Sequence, residues 1–154
     1  MITSIVRGCA AGAAGTTALN AVTYADMALR GRPASSVPEA VVDRIATRVG
    51  HPVPRTSARD SRLTGLGALS GIAVGTGTGA GVSLLRRVGV RMPVWLGGLL
   101  TGAWAMGLTD APIAGLGVSD PRTWSARDWA SDAVPHLVYG LVTYGVITAA
   151  EQRR

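Results

Sequence analysis

Four ionisable residues stand at the edges of long uncharged stretches of this chain: Asp26, Asp110, Asp132 and His136. A histidine beside carboxylates changes charge near neutral pH and can hold or pass a proton. His136 follows Asp132 by one helical turn and follows Pro135 directly. Ionisable groups in or near hydrocarbon are costly to bury and are often functional there. The chemistry this set supports is a proton-responsive cluster or vestibule. The plainer reading makes the aspartates helix caps and ion-pair partners of Arg30, Arg59, Arg62 and Arg127. Asn20 adds a polar group in the middle of an apolar segment, with Thr16 and Thr23 at helical spacing. Such residues suit hydrogen bonds between helices.

Other chemistries find little footing. With His51 and His136 as the two histidines and Cys9 as the one cysteine, no metal or haem constellation is expected, and no cofactor. There is no Walker loop, no Gly-x-Ser-x-Gly and no His-Glu-x-x-His. A Ser-His-Asp hydrolase stays open because such a triad has no fixed spacing. Nothing in the chain points to an enzyme. A net charge of +6 would suit nucleic acid. Its source is fifteen arginines and no lysine, and they flank the apolar windows as membrane-edge charges do. No nucleic-acid partner is expected.

The elements that must position these residues follow from where charge is absent. The stretches 8–25, 63–85, 92–109 and 133–150 contain no Asp, Glu, Lys or Arg. Crossing a hydrocarbon core takes about 20 residues of helix, with 17–25 tolerated. A soluble helical protein would carry charges along the outward face of each helix. The prediction is therefore all-α: an integral membrane four-helix bundle in one domain over 1–154, with spans of about 5–27, 63–85, 92–109 and 133–150. Its first partner is the lipid bilayer. The first segment is read as a retained span: Arg7 before Cys9 spoils a lipoprotein context, and a signal peptide is not expected with Arg7 as the only early charge and no short Leu-rich region before a cleavage site.

Between the first two spans, Ser36-Val37-Pro38-Glu39 reads as a capping box. It opens a short amphipathic helix of about 37–49, with Val37, Val41, Ile45 and Val49 on one face. Such a helix lies in the membrane interface or connects its neighbours. The apolar segment 111–118 is too short to cross and is expected to run back along the surface. Trp95 is placed as an interface anchor.

Glycines recur at four-residue spacing: Gly67, Gly71, Gly75 and Gly79, with shorter pairs at Gly8/Gly12 and Gly98/Gly102. Residues so spaced share one helix face. In lipid, close packing of small residues holds helices together. This glycine-zipper pattern predicts helix packing within the bundle, or a surface for self-association.

Pro54-Arg55-Thr56-Ser57-Ala58-Arg59-Asp60 recurs before the last span as Pro121-Arg122-Thr123-Trp124-Ser125-Ala126-Arg127-Asp128, with Trp124 inserted. Each Ser-x-x-Asp is expected to cap a helix. The chain then reads as two helical hairpins, from duplication or from convergent capping. With four spans, Arg7, Arg86, Arg87, Arg91, Arg153 and Arg154 share the face that holds the termini. Basic residues in short loops near the spans favour termini inside. Nine arginines in the longer opposite connections point the other way.

The Gly/Ala-rich first span ending in Tyr24-Ala25-Asp26-Met27, with Pro135-His136-Leu137-Val138-Tyr139-Gly140 opening the last, resembles small bacterial multi-span inner-membrane proteins of the YagU-like family. The resemblance implies location in the bacterial inner membrane and brings no functional residues. The alanine, glycine and arginine bias also fits a GC-rich, actinobacterial-type genome. Two functions follow as expectations. One is a non-enzymatic bundle that self-associates or serves a larger membrane complex. The other is a channel or carrier for protons or a small solute, using the Asp/His cluster.

Overall fold

A computed structural model describes residues 1–152 and is helical, with no strand among them. The Arg153-Arg154 pair lies outside the described residues. Four long helices carry the structure: α1 (Ile2–Arg30), α3 (Arg59–Arg87), α4 (Val94–Gly115) and α5 (Ala126–Gln152). The short α2 (Val37–Arg48) lies between the first two, and a single 3-10 turn (Pro121–Thr123) precedes α5. At 1.5 Å per residue, each long helix exceeds a 30 Å hydrocarbon core in length.

Apolarity is less even than length. Of the four, α3 and α5 are long and apolar enough to cross a membrane. The expectation of four equivalent spans is thereby reduced to two. Glycine is not the cause, since α3 carries seven of them; α1 has the polar Asn20 in mid-helix, and α4 has Trp95, Trp104 and Asp110.

The helices stand side by side in the order α3, α1, α5, α4, with α1 antiparallel to both neighbours and α4 antiparallel to α5. Contact between α3 and α4 is light. Glycine sets the two tight crossings. A Cβ on Gly8 would lie 2.5 Å from the Gly79 carbonyl oxygen, and one on Gly12 would overlap that of Gly75. At the second crossing, Gly140 lies against the backbone of Gly98 and Gly102. The Tyr144 ring covers Gly97, and its hydroxyl accepts from the Met92 N–H at 2.9 Å. Tyr139 donates to the Gly75 carbonyl at 2.6 Å, tying α5 to α3 across the α1 seam.

Gly67 and Gly71 depart from that pattern. Gly67 packs against Pro38 of α2, and a side chain at Gly71 would meet nothing within 4 Å. Gly71 is exposed, so the four-residue spacing does not by itself place it in a helix crossing. Gly65 and Gly77, on the opposite side of α3, are open as well.

Capping differs between the two related motifs. Before α5, the Ser125 hydroxyl and N–H both donate to Asp128 Oδ2, at 2.6 and 2.9 Å, and the Asp128 N–H donates back to Ser125 Oγ at 3.2 Å. That is a reciprocal capping box. Before α3, the cap residue is Ala58 and no side chain bonds to it; Arg59 instead pairs with Asp43 of α2 at 2.6 Å. Ser36 makes no side-chain cap bond either, and the Val37 N–H goes to Ser35 Oγ. A capping residue normally adopts extended backbone. Ser36 (φ −92°, ψ 6°) and Ala58 (φ −87°, ψ 3°) do not.

The segment 111–118 does not run back along the surface. Its first half extends α4 through Pro112 to Gly115, and Gly117, at φ 64°, makes the turn. Proline forfeits one hydrogen bond, to the carbonyl of Leu108, and the last helical turn absorbs that loss.

The Ser125 bonds hold the exposed Asp128 carboxyl below its ordinary value of 3.8. A lowered acid stabilises the fold above its unfolded value, and that contribution is lost as pH falls through the lowered one. Acid unfolding, followed by circular dichroism, is therefore expected to be shallower for Ser125→Ala below about pH 4, because in that variant Asp128 has lost the hydroxyl's bond and keeps the backbone one.

Candidate functional site: an Asp/His cluster at one end of the helices

The C-terminal part of α4 and the first turns of α5 meet at the end of the molecule opposite the termini. There His136 Nδ1 faces its own helix. It lies 2.8 Å from the Asp132 carbonyl oxygen and 3.3 Å from Asp132 Oδ1. Its Nε2 lies 3.5 Å from Thr109 Oγ1 on α4. The Thr109 hydroxyl donates its one proton to the Met106 carbonyl at 2.8 Å. Toward His136 it is left with its lone pairs. Nδ1–H on Asp132 fits this setting, and the role of Nε2 toward Thr109 follows the tautomer.

Asp110 completes the group. Its carboxyl lies beside that of Asp132 and within range of the His136 charge. Asp110 Oδ1 and Asp132 Oδ2 are both buried with no hydrogen-bond partner. Buried polar atoms without partners demand an explanation. Two adjacent carboxylates beside a histidine satisfy one another best by sharing a proton. The arrangement can hold a proton between Asp110, Asp132 and His136. Metal binding is another matter: among the described residues no group of three or more His, Cys, Asp or Glu side chains is arranged to hold a metal ion.

Asp26 is not a member. It pairs with Arg30 at 3.1 Å and with Arg32 at 2.5 Å, near the end of α1. Arg30 also donates to Ser131 Oγ at 3.0 Å, which ties α1 to the first turns of α5. Asn20 is half-buried on α1, away from these contacts. Of the clefts among the described residues, the one at Val82, Arg86 and Trp104 and the one at His51, Pro54 and Leu66 are not lined by Asp110, Asp132 or His136.

Two features escape a reading by residue type. Thr109 sits beside Asp110, and its neighbourhood alone marks it. Arg86, taken with the arginines of the 86–91 turn as a flanking charge, is buried and binds Glu151 Oε2 through Nε at 3.2 Å and Nη2 at 2.7 Å. Helical spacing held the clue, since Gly75, Gly79, Val82 and Arg86 share the inward face. Comparison with protein-family models, curated proteins and solved structures finds no match to this chain.

Proposed function

We propose that this chain is a multi-pass protein of the bacterial inner membrane, with its four long helices spanning the bilayer and its termini inside. It acts without enzymatic chemistry, associating with itself or with a larger membrane complex through the outward side of α3. One observation carries the membrane reading: the distribution of polarity is inverted relative to a water-soluble domain. Gly, Thr, Ser and Tyr dominate the interior, with Thr78, Ser83, Thr101 and Thr143 all buried. Leu69, Ile72, Leu99, Trp104, Leu141 and Val146 lie outside. An exposed apolar surface on this scale needs a partner. Less than a third of the apolar stretch of α3 is buried (28 %), and a third of that of α5 (33 %), whereas the core helix of a soluble fold is mostly buried. Trp95 at one end and Trp129 at the other stand where aromatic side chains anchor a bilayer's two interfaces.

Association is supported by α3. Gly65, Leu69, Ala73 and Gly77, at four-residue spacing, are all exposed, and the two glycines face open space. A helix backbone can approach such a face closely. Native mass spectrometry in mild detergent is the test: oligomers or a co-purifying membrane partner are expected, and a bare monomer at all concentrations contradicts the proposal.

A second reading is favoured by the shared-proton geometry of Asp110, Asp132 and His136: proton transfer at that membrane face. Proteoliposomes under an imposed pH gradient are then expected to show a proton flux that His136→Ala lowers at least about tenfold, in the range typical for removing a proton-transfer group. A flux equal in wild type and variant removes the cluster from any transport role.

A further inference from the structure

At the end that holds the termini, the light contact between α3 and α4 leaves a groove of about 200 Å³. Val82, Leu85, Val90, Leu100, Trp104 and Tyr144 line it, and its walls are almost wholly apolar. Sites that enclose a whole small molecule run to about 300–1,000 Å³. This volume suits a segment of one flexible hydrocarbon chain entering from the side, the rest of that chain lying in the bilayer.

The groove also has a cation in its wall. Arg86 lines it, is 5 % exposed, and lies with its guanidinium carbon 4.6 Å from the centre of the Tyr144 ring. Glu151 takes Nε and Nη2; Nη1 is buried with no acceptor. A guanidinium is a five-donor fork suited to phosphate oxygens, and a buried donor left unpaired is costly. Around it the charge is one-sided. Arg87 and Arg91 are exposed on the same turn, and Arg7 lies 3.9 Å from Glu151, the one acid among them. Basic pockets between spanning helices recognise anionic lipid headgroups.

We propose that this groove binds an anionic phospholipid, with one acyl chain between α3 and α4 and the phosphate held by the arginines of the 86–91 turn. The proposal rests on the membrane reading, since the lipid enters from the bilayer. A free phosphate ion would share the headgroup chemistry but leave the apolar walls unused.

The test is native mass spectrometry of the full chain in mild detergent, titrated with phosphatidylglycerol or with phosphatidylcholine of the same acyl chains. Retention of phosphatidylglycerol is expected to exceed that of phosphatidylcholine by at least about tenfold. Arg86→Gln leaves Glu151 with the more distant Arg7 alone, so the groove is probed by Leu100→Trp, which fills it and leaves Arg86 in place. That variant is expected to lose at least about four-fifths of the retained lipid, and Arg87→Gln with Arg91→Gln to erase most of the headgroup preference. Equal retention of the two lipids, or full retention by Leu100→Trp, overturns the proposal. So does displacement of the lipid by millimolar inorganic phosphate, which would reduce the site to an anion site. Alkaline carbonate extraction of the same membranes separates the two failures. Protein that stays in the membrane without lipid preference refutes the groove; protein released to the supernatant refutes the membrane reading itself.

Discussion

Gly79→Leu is expected to force α1 away from α3, while Gly77→Leu, two residues along the same helix, leaves the monomer intact and abolishes its association. The contrast follows from what each side chain would meet. A Cβ at Gly79 would overlap the Gly8 carbonyl and fall 2.7 Å from the Gly12 Cα, whereas one at Gly77 meets nothing within 4 Å. Overpacking usually costs about 1–3 kcal/mol, and flexible side chains relieve part of it. Here the obstacle is backbone on a long helix, so a loss of about 3 kcal/mol or more is expected for Gly79→Leu. The better helix propensity of leucine returns at most about 1 kcal/mol. For Gly77→Leu the monomer should change by less than about 0.5 kcal/mol. Thermal unfolding in detergent reads the first effect, and the oligomer fraction in native mass spectra reads the second. If both variants unfold alike, the open face of α3 is not a separate surface. If Gly77→Leu still associates, the interface lies elsewhere.

Removing one partner of the Arg86–Glu151 pair is expected to be the next largest single loss. Arg86 is nearly enclosed, with a side-chain exposure of 6 %, and Glu151 retains 23 %. Breaking a buried ion pair costs about 3–5 kcal/mol because the surviving charge is left without compensation. The partial exposure of Glu151 places Glu151→Ala near about 3 kcal/mol. Arg86→Met should cost a similar amount, since it also removes the guanidinium from the Tyr144 face. The double variant Arg86→Met with Glu151→Met is expected to recover much of the loss, because an apolar pair leaves no orphan charge. Non-additivity of that kind, measured as a double-mutant cycle in denaturant, separates a true pair from two independent packing effects.

Much of the helical order was legible because charge marks where a helix leaves an apolar layer. The uncharged stretch 63–85 sits inside α3 (Arg59–Arg87), and the amphipathic spacing from Val37 to Val49 matches α2 (Val37–Arg48). Pro112 obscured the end of α4, since a proline signals a break wherever it falls and only the surrounding turn decides whether the helix survives it. The cap at Ser125 was readable, and the same motif at Ser57 misled. A capping box depends on backbone angles that the residues alone do not set.

For the cluster, Asp132 and His136 lie one turn apart and were legible together; Asp110 joins them through the antiparallel register of α4 and α5. Asp26 was grouped with them by its height at the end of α1. Arg30 and Arg32, close by in the chain, hold it instead. Periodicity gives a residue's face and height. Which helix stands opposite is fixed by tertiary packing, and that also decides Gly71: it carries the right spacing, yet a side chain there would meet nothing within 4 Å.

The inverted polarity of the four helices is the central claim, and accessibility along each of them tests it most directly. In a Cys9→Ala background, single cysteines at Ala13, Ile72, Leu99 and Leu141 would stand on the outward faces of α1, α3, α4 and α5. In intact membranes all four are expected to resist a membrane-impermeant maleimide, while a cysteine at the exposed Gly31 or Asp120 reacts from one side of the membrane. Rapid labelling at Ala13 or Leu99 would contradict the account, leaving α3 and α5 as the only helices in contact with lipid.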